Sequence, residues 1–236
     1  MPSMMHVCNE LGSIALGKGD YKEARKQFRC MVKESRKHGM LEQAGAQNRL
    51  GFVCMREHRY EEAEDCFRKC LELCEKLYGP SHPELATQLS NLGVVIWQKS
   101  GNATEARPLF EKAVLMLEEA MPFTAEFEPA KRESYARAFE NYAGLLEKER
   151  DYDTAEQLYR KALEIKIEAV GECSPGVFQT AYTLSQLYRK AGRIHEANEI
   201  TTRFLPAAKS FASKVNDEEL KTCVNLLELF ETDASH

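Results

Sequence analysis

Asn48–Phe67, NRLGFVCMREHRYEEAEDCF, decides how the rest of the chain is read. It carries Leu50 followed at once by Gly51, then Ala63 thirteen residues after Leu50 and Phe67 four further on. The same register returns in Asn9–Phe28 (NELGSIALGKGDYKEARKQF) and Glu140–Tyr159 (ENYAGLLEKERDYDTAEQLY), and in Ser90–Phe110 (SNLGVVIWQKSGNATEARPLF) with the alanine fourteen residues after the anchor. Tyr182–Thr201 (YTLSQLYRKAGRIHEANEIT) keeps the spacing with weaker identity. Each unit has an anchor: Leu11, Leu50, Leu92, Tyr142 or Leu184. A small residue follows it: Gly12, Gly51, Gly93, Ala143 or Ser185. A later alanine (Ala24, Ala63, Ala106, Ala155 or Ala197) precedes by four residues Phe28, Phe67, Phe110, Tyr159 and, in the fifth unit, Thr201.

Two antiparallel helices joined by a short turn approach closely only where small residues sit at the crossing, and large side chains one turn away fill the space between them. The turns contain Gly19-Asp20, Gly101-Asn102, Asp151 and Gly192, residues that end one helix or start the next. One such hairpin cannot bury its apolar face alone, so the pattern predicts a stack of hairpins.

The pattern L-G-x-x-x … G-D-Y-x-x-A-x-x-x-F resembles the tetratricopeptide repeat (TPR). Successive anchors are 39, 42, 50 and 42 residues apart, longer than the minimal repeat of about 34. The matching loops Tyr78-Gly79-Pro80-Ser81-His82-Pro83 and Val170-Gly171-Glu172-Cys173-Ser174-Pro175 place a glycine thirteen residues before the next anchor. In this the chain is similar to the 42-residue repeats of kinesin light chains. No heptad coiled coil precedes the repeats here, so the resemblance is to the repeats alone. It implies an all-α, right-handed TPR superhelix occupying residues 1–236 as a single solenoid. The expected repeats lie near 5–39, 44–78, 84–121, 132–170 and 177–213, with a capping helix near 216–231 on Leu220, Cys223, Val224, Leu227 and Phe230. Pro122 and Pro129 mark the one long interruption, and Pro206 is expected to kink the second helix of the fifth unit.

At about 100° per residue, positions five, two and one before each anchor and two, five and six after it share one helical face. In TPR proteins this face of the first helix lines a concave groove. An asparagine falls next to the anchor in four units, as Asn9, Asn48, Asn91 and Asn141, and an asparagine can pair with the backbone of an extended peptide. The face holds six basic and three acidic residues. Arg49, Arg56, Arg137, Lys148 and Arg189 supply cationic groups, and Phe52, Met55, Val94 and Trp97 an apolar patch. The implied ligand is an acidic peptide with an apolar anchor. Equally open at this stage, the asparagines are solvated and Trp97 packs into the next helix.

The net charge of −5, with 32 basic and 37 acidic residues interspersed, leaves no electrostatic footprint for nucleic acid. No stretch approaches the roughly 20 apolar residues of a membrane span. No secretory leader is evident, which suggests the cytoplasm, with cilium or mitochondrion as alternatives. Eight cysteines without a C-x-x-C pair are expected as reduced thiols. Cys66, Cys70 and Cys74 form one helical stripe that suits core packing, Cys70 standing where later units have Ala113 and Ala162, or part of a soft-metal site. No phosphate loop, zinc helix, nucleophile elbow or dinucleotide fingerprint occurs, so no catalytic residue, metal or cofactor is expected. The function implied is a protein-protein interaction module, an adaptor or scaffold holding a peptide in its groove. The alternative is a structural or assembly-factor subunit contacting partners elsewhere.

Overall fold

The computed structural model describes residues 3–120, 128–213 and 224, and divides into two compact units, Met1–Ala120 and Met121–His236. In the first unit the helices are α1 (Met4–Gly17), α2 (Tyr21–Ser35), α3 (Met40–Arg56), α4 (Tyr60–Tyr78), α5 (Glu84–Ser100) and α6 (Ala103–Ala120). In the second they are α7 (Pro129–Lys148), α8 (Tyr152–Val170), α9 (Pro175–Lys190) and α10 (Ile194–Ala212). Among the described residues every element is helical. Consecutive helices pair into the five expected hairpins, and within each unit the second helix of one hairpin packs on the first helix of the next.

Local chemistry sets the hairpin boundaries. Asp20 and Asp151 accept from the Glu23 and Thr154 amides at 3.0 and 3.2 Å, capping α2 and α8. Each turn between paired helices needs one residue in the left-handed region; Gly19, Gly101 and Gly192 supply it freely, whereas His58 (φ 58°) and Arg150 (φ 65°) adopt it against the usual preference of side-chain-bearing residues.

The crossings follow the predicted small-to-large scheme. Ala24, Ala63, Ala106, Ala155 and Ala197 are wholly buried. The rings of Phe28, Phe67 and Phe110 lie directly over Gly12, Gly51 and Gly93, where an added Cβ would meet them at 2.6, 3.1 and 3.0 Å. The fifth hairpin solves the same problem with polar chemistry. Ser185 Oγ and Thr201 Oγ1 lie 3.2 Å apart, and each hydroxyl also donates to the Ala197 carbonyl. What reads as lost identity in the sequence is thus a matched exchange of packing for hydrogen bonding.

Pro206 lies inside α10, which continues to Ala212; its ring is exposed, as is that of Pro108 inside α6, on flanks where solvent can reach the carbonyls it leaves unpaired. Pro129 begins α7 as an N-terminal proline, while Pro122 and the rest of 121–127 lie outside the described residues. The capping helix at 216–231 also lies outside them, apart from Val224, which is helical and buried.

The cysteines divide. Cys8 and Cys30 come together as a disulfide across the α1–α2 hairpin, their Cα atoms 6.2 Å apart, which corrects the expectation that all eight thiols are reduced. Helix pairing makes neighbours of residues 22 apart in sequence, so spacing alone does not show it. Cys54, Cys66, Cys70 and Cys74 are free and buried, and Cys173 is free and exposed. Burial pushes the Cys54 thiol up to about 12 and the Cys66 thiol up to about 11. Cys70 Sγ contacts the Ala44 carbonyl at 3.2 Å and Gln88 Oε1 at 3.3 Å, joining α4 to α3 and α5 as a core group. Among the described residues no cluster of three or more His, Cys, Asp or Glu is placed to hold a metal ion.

Candidate functional site

The residues selected from the sequence fall on first helices and are shared between the two units. Asn9 lies on α1, Asn48, Arg49, Phe52, Met55 and Arg56 on α3, and Asn91, Val94 and Trp97 on α5. Arg137, Asn141 and Lys148 lie on α7 and Arg189 on α9. All of these side chains are exposed or half-buried. Of the wider face, only Ser90 is fully withdrawn, at 1% exposure.

In the first unit the structure brings α3 and α5 together at this face. Asn91 Nδ2 donates to Asn48 Oδ1 at 3.4 Å, so these asparagines join consecutive repeats. The four asparagines are not equivalent: Asn9 and Asn48 stand two residues before their anchors, Asn91 and Asn141 one before. That offset of one position lets Asn48 and Asn91 meet, since side chains one residue apart diverge by about 100°. Asn9 Oδ1 is buried with no partner among the described residues. Arg49 is exposed and engages no partner among the described residues, with the ring of Phe52 38% exposed one turn along α3. Arg56 is already engaged, donating to the Tyr21 hydroxyl at 3.1 Å with its guanidinium over that ring.

In the second unit the faces of α7 and α9 are cross-linked. Glu147 accepts from Lys190 Nζ at 2.5 Å and from the Tyr159 hydroxyl at 3.3 Å. Arg189 turns toward α10, donating to Asn198 Oδ1 at 3.2 Å. Arg137 and Lys148 remain exposed without a partner among the described residues. Glu140 is drawn inward to Lys166 of α8, itself only 7% exposed, at 2.7 Å. Lys166 also donates to Thr180 Oγ1 at 2.8 Å, so one buried cluster ties α7, α8 and α9. Sequence reading missed this cluster because Lys166 occupies the slot of Leu117 and Cys74 in earlier repeats and looks like a solvated lysine on a charged helix. Of the face's three acids, Glu140 and Glu147 are neutralised by lysines, which leaves Arg49, Arg137 and Lys148 as available cations.

A second recurring contact registers the stack. Arg25 of α2 pairs with Glu57, Glu64 of α4 with Lys99 at 3.0 Å, and Glu156 of α8 with Arg193. In the first two cases a residue fourteen after one anchor meets a residue seven after the next. Glu156 also accepts from the Tyr188 hydroxyl at 2.7 Å.

Paired helices with a small-residue crossing, stacked first helix on second, define a protein of the tetratricopeptide-repeat class. Models of this repeat match residues 42–119 and 134–210, and a further one residues 6–30, together more than half of the chain. The chain belongs to the tetratricopeptide-repeat family, and its relatives are of the kinesin-light-chain-like kind. It is 27% identical over 115 residues to Protein KINESIN LIGHT CHAIN-RELATED 2 of Arabidopsis thaliana, a match covering 48% of this chain and 17% of that protein. The fold is similar to BtubC (BKLC) from P. vanneervenii, with a TM-score of 0.67 and 17% identity over 89% of this chain and 82% of that one. It is also similar to a putative kinesin light chain of Podosopora anserina with nearly identical TPR-like repeats, with a TM-score of 0.62 and 17% identity over 92% of this chain and 100% of that one. No helix among the described residues is long and apolar enough to cross a membrane.

Proposed function

We propose that the chain is an adaptor whose first-helix faces hold an extended, acidic peptide segment with one bulky apolar anchor. The observation that carries this reading is the composition of the face on α3 and α5. Arg49 is charged, exposed and uncommitted, and it lies beside the part-exposed Phe52 and the linked Asn48–Asn91 pair. A guanidinium free of internal partners can bind a carboxylate bidentately, and Phe52, Met55, Val94 and Trp97 offer apolar surface to the anchor. Arg137 and Lys148 give the face on α7 the same sign of charge. The role is binding without catalysis: Glu62, Glu64 and Glu156 each serve an ion pair with arginine or lysine rather than facing an acid–base partner. The cytoplasm is the proposed location.

The test is fluorescence anisotropy with labelled acidic peptides carrying one tryptophan or leucine. Arg49→Glu is expected to weaken capture at least tenfold and Arg137→Glu to a smaller extent, with the circular-dichroism spectrum unchanged. Capture that survives both reversals moves the binding surface away from these faces. Arg56 is a poorer probe, because reversing it also removes the contact with Tyr21.

A further inference from the structure

The outward stripes of α2 and α4 carry opposite charge at the same repeat positions. Eleven, fifteen, eighteen, twenty-two and twenty-five residues after the anchor, α2 and its C-cap present Lys22, Lys26, Arg29, Lys33 and Arg36. At those positions α4 presents Glu61, Asp65, Arg68, Glu72 and Glu75. All of these side chains are exposed, and spacings of three and four residues set each group along one side of its helix. The exposure belongs to the place in the repeat, not to the place in the chain. On α8, packed between α7 and α9, Asp153, Gln157, Arg160 and Glu164 at the same positions are exposed too. A neighbouring second helix lies beside the stripe rather than over it, as the 2.5 Å bridge from Arg29 of α2 to Glu62 of α4 shows.

Most of this charge is uncompensated within the unit. The side chains of Lys22, Lys33, Arg36, Glu61, Asp65, Glu72 and Glu75 make no ion pair or hydrogen bond among the described residues. Like charges three and four residues apart destabilise a helix, so each stripe would gain from an opposite one laid against it. The two arginines that share a position, Arg29 and Arg68, are instead held by Glu62 and Glu64.

We propose that this face joins two copies of the chain in a symmetric dimer, α2 of each lying on α4 of the other. A two-fold axis parallel to the two helices and midway between them produces that arrangement, with stacked helices running the same way. Equal repeat positions then come level: Lys22 with Glu61, Lys26 with Asp65, Lys33 with Glu72 and Arg36 with Glu75, each pair made twice by the symmetry. An axis across the helices would stack α2 on α2 and α4 on α4, with like charges opposed. Charge therefore selects the first arrangement. One end of the face also carries apolar surface. Tyr78 closes α4, Met40 and Leu41 follow α2, and they are 38%, 41% and 57% exposed. In the dimer Met40 and Leu41 of one copy come to the end of α4 that holds Tyr78 of the other. Exposed ion pairs contribute little singly, so the set acts together and the association is weak and sensitive to salt. The face lies on second helices, and dimerisation stands apart from the adaptor reading, which uses the first.

The test is sedimentation velocity of the full chain over a concentration series at low salt. Cys173→Ser is carried throughout, because that exposed thiol could link two chains covalently. A reversible monomer–dimer equilibrium is expected, weakening as salt is added. Reversing α2 (Lys22→Glu, Lys26→Glu, Lys33→Glu and Arg36→Glu) should weaken it at least tenfold. Reversing α4 (Glu61→Lys, Asp65→Lys, Glu72→Lys and Glu75→Lys) should do the same. An equal mixture of the two reversed chains should dimerise again, since the acidic α2 of one meets the basic α4 of the other and the unaltered helices still match. The altered positions are exposed, so the circular-dichroism spectrum should not change. If a fourfold variant loses helicity, the milder pair Lys33→Glu and Glu72→Lys makes the same comparison. A chain that stays monomeric at every concentration overturns the proposal. So does a dimer indifferent to both reversals, or a mixture of reversed chains that fails to associate.

Discussion

Gly12 shows how a single atom decides the geometry of a hairpin. A Cβ there would lie 2.6 Å from the Phe28 ring, which is fully buried and cannot swing aside, and the Cys8–Cys30 link stops α1 from backing away. Gly12→Ala is expected to cost about 1–2 kcal/mol despite the better helix propensity of alanine, because overpacking outweighs it. Gly144, the residue after the small position in the fourth unit, meets only ordinary contact with the Tyr159 hydroxyl at 3.7 Å. Gly144→Ala should therefore stabilise by about 0.5–1 kcal/mol, the propensity gain alone. Thermal melts of the two variants, moving in opposite directions, would check the assignment. Alanine or glycine in a repeat is legible from sequence; which one the neighbouring ring permits is not.

At the scale of elements, the second unit carries a buried ion pair at a slot where the first has two uncharged residues. Lys166 reaches Glu140 on α7 and Thr180 on α9 from a nearly dry position, whereas Leu117 and Ser90 occupy the matching slots on α6 and α5. Removing one partner of a buried pair leaves a desolvated charge, so Lys166→Ala is expected to lose about 3 kcal/mol in urea unfolding. Replacing both members together is different. Lys166→Leu with Glu140→Ser, copying the third repeat, should fall within about 1 kcal/mol of the parent, because an apolar exchange of a buried ion pair is commonly neutral. A double variant as unstable as the single one would show that the cluster holds the three helices by more than charge compensation.

At the scale of the whole molecule, ion pairs between successive hairpins make stability depend on acid. For Glu62, Glu64 and Glu156, burial alone would raise the carboxyl, but hydrogen bonds outweigh it. Arg29 and Arg59 act on Glu62, Arg68 and Lys99 on Glu64, and Tyr188, Arg160 and Arg193 on Glu156, holding each below its ordinary range. A carboxyl depressed in the folded state contributes stability above its unfolded value of about 4.3, and that contribution is lost as pH falls through the lower folded value. The melting temperature should therefore be nearly flat from neutral pH down to about 5 and drop below about 4. Glu156→Gln should make the drop shallower. Several partners are half-exposed, so solvent and salt screen these pairs and the change should shrink in high salt.

The repeat itself was legible without coordinates. Small and large side chains recur at spacings that only helical hairpins use, and five copies of one spacing leave the choice of class, hairpin count and loop position little freedom. The binding faces were legible only as helical arcs. Whether an arginine on such an arc is available depends on what lies across from it: Arg49 meets no partner among the described residues, while Arg189 is drawn to Asn198 and Arg56 to Tyr21. Those partners come from other helices, at separations fixed by packing rather than by local periodicity. The same reason hid the Cys8–Cys30 link and the buried Lys166. Periodicity says which side of a helix is apolar; only the stacked helices decide which of those sides are covered.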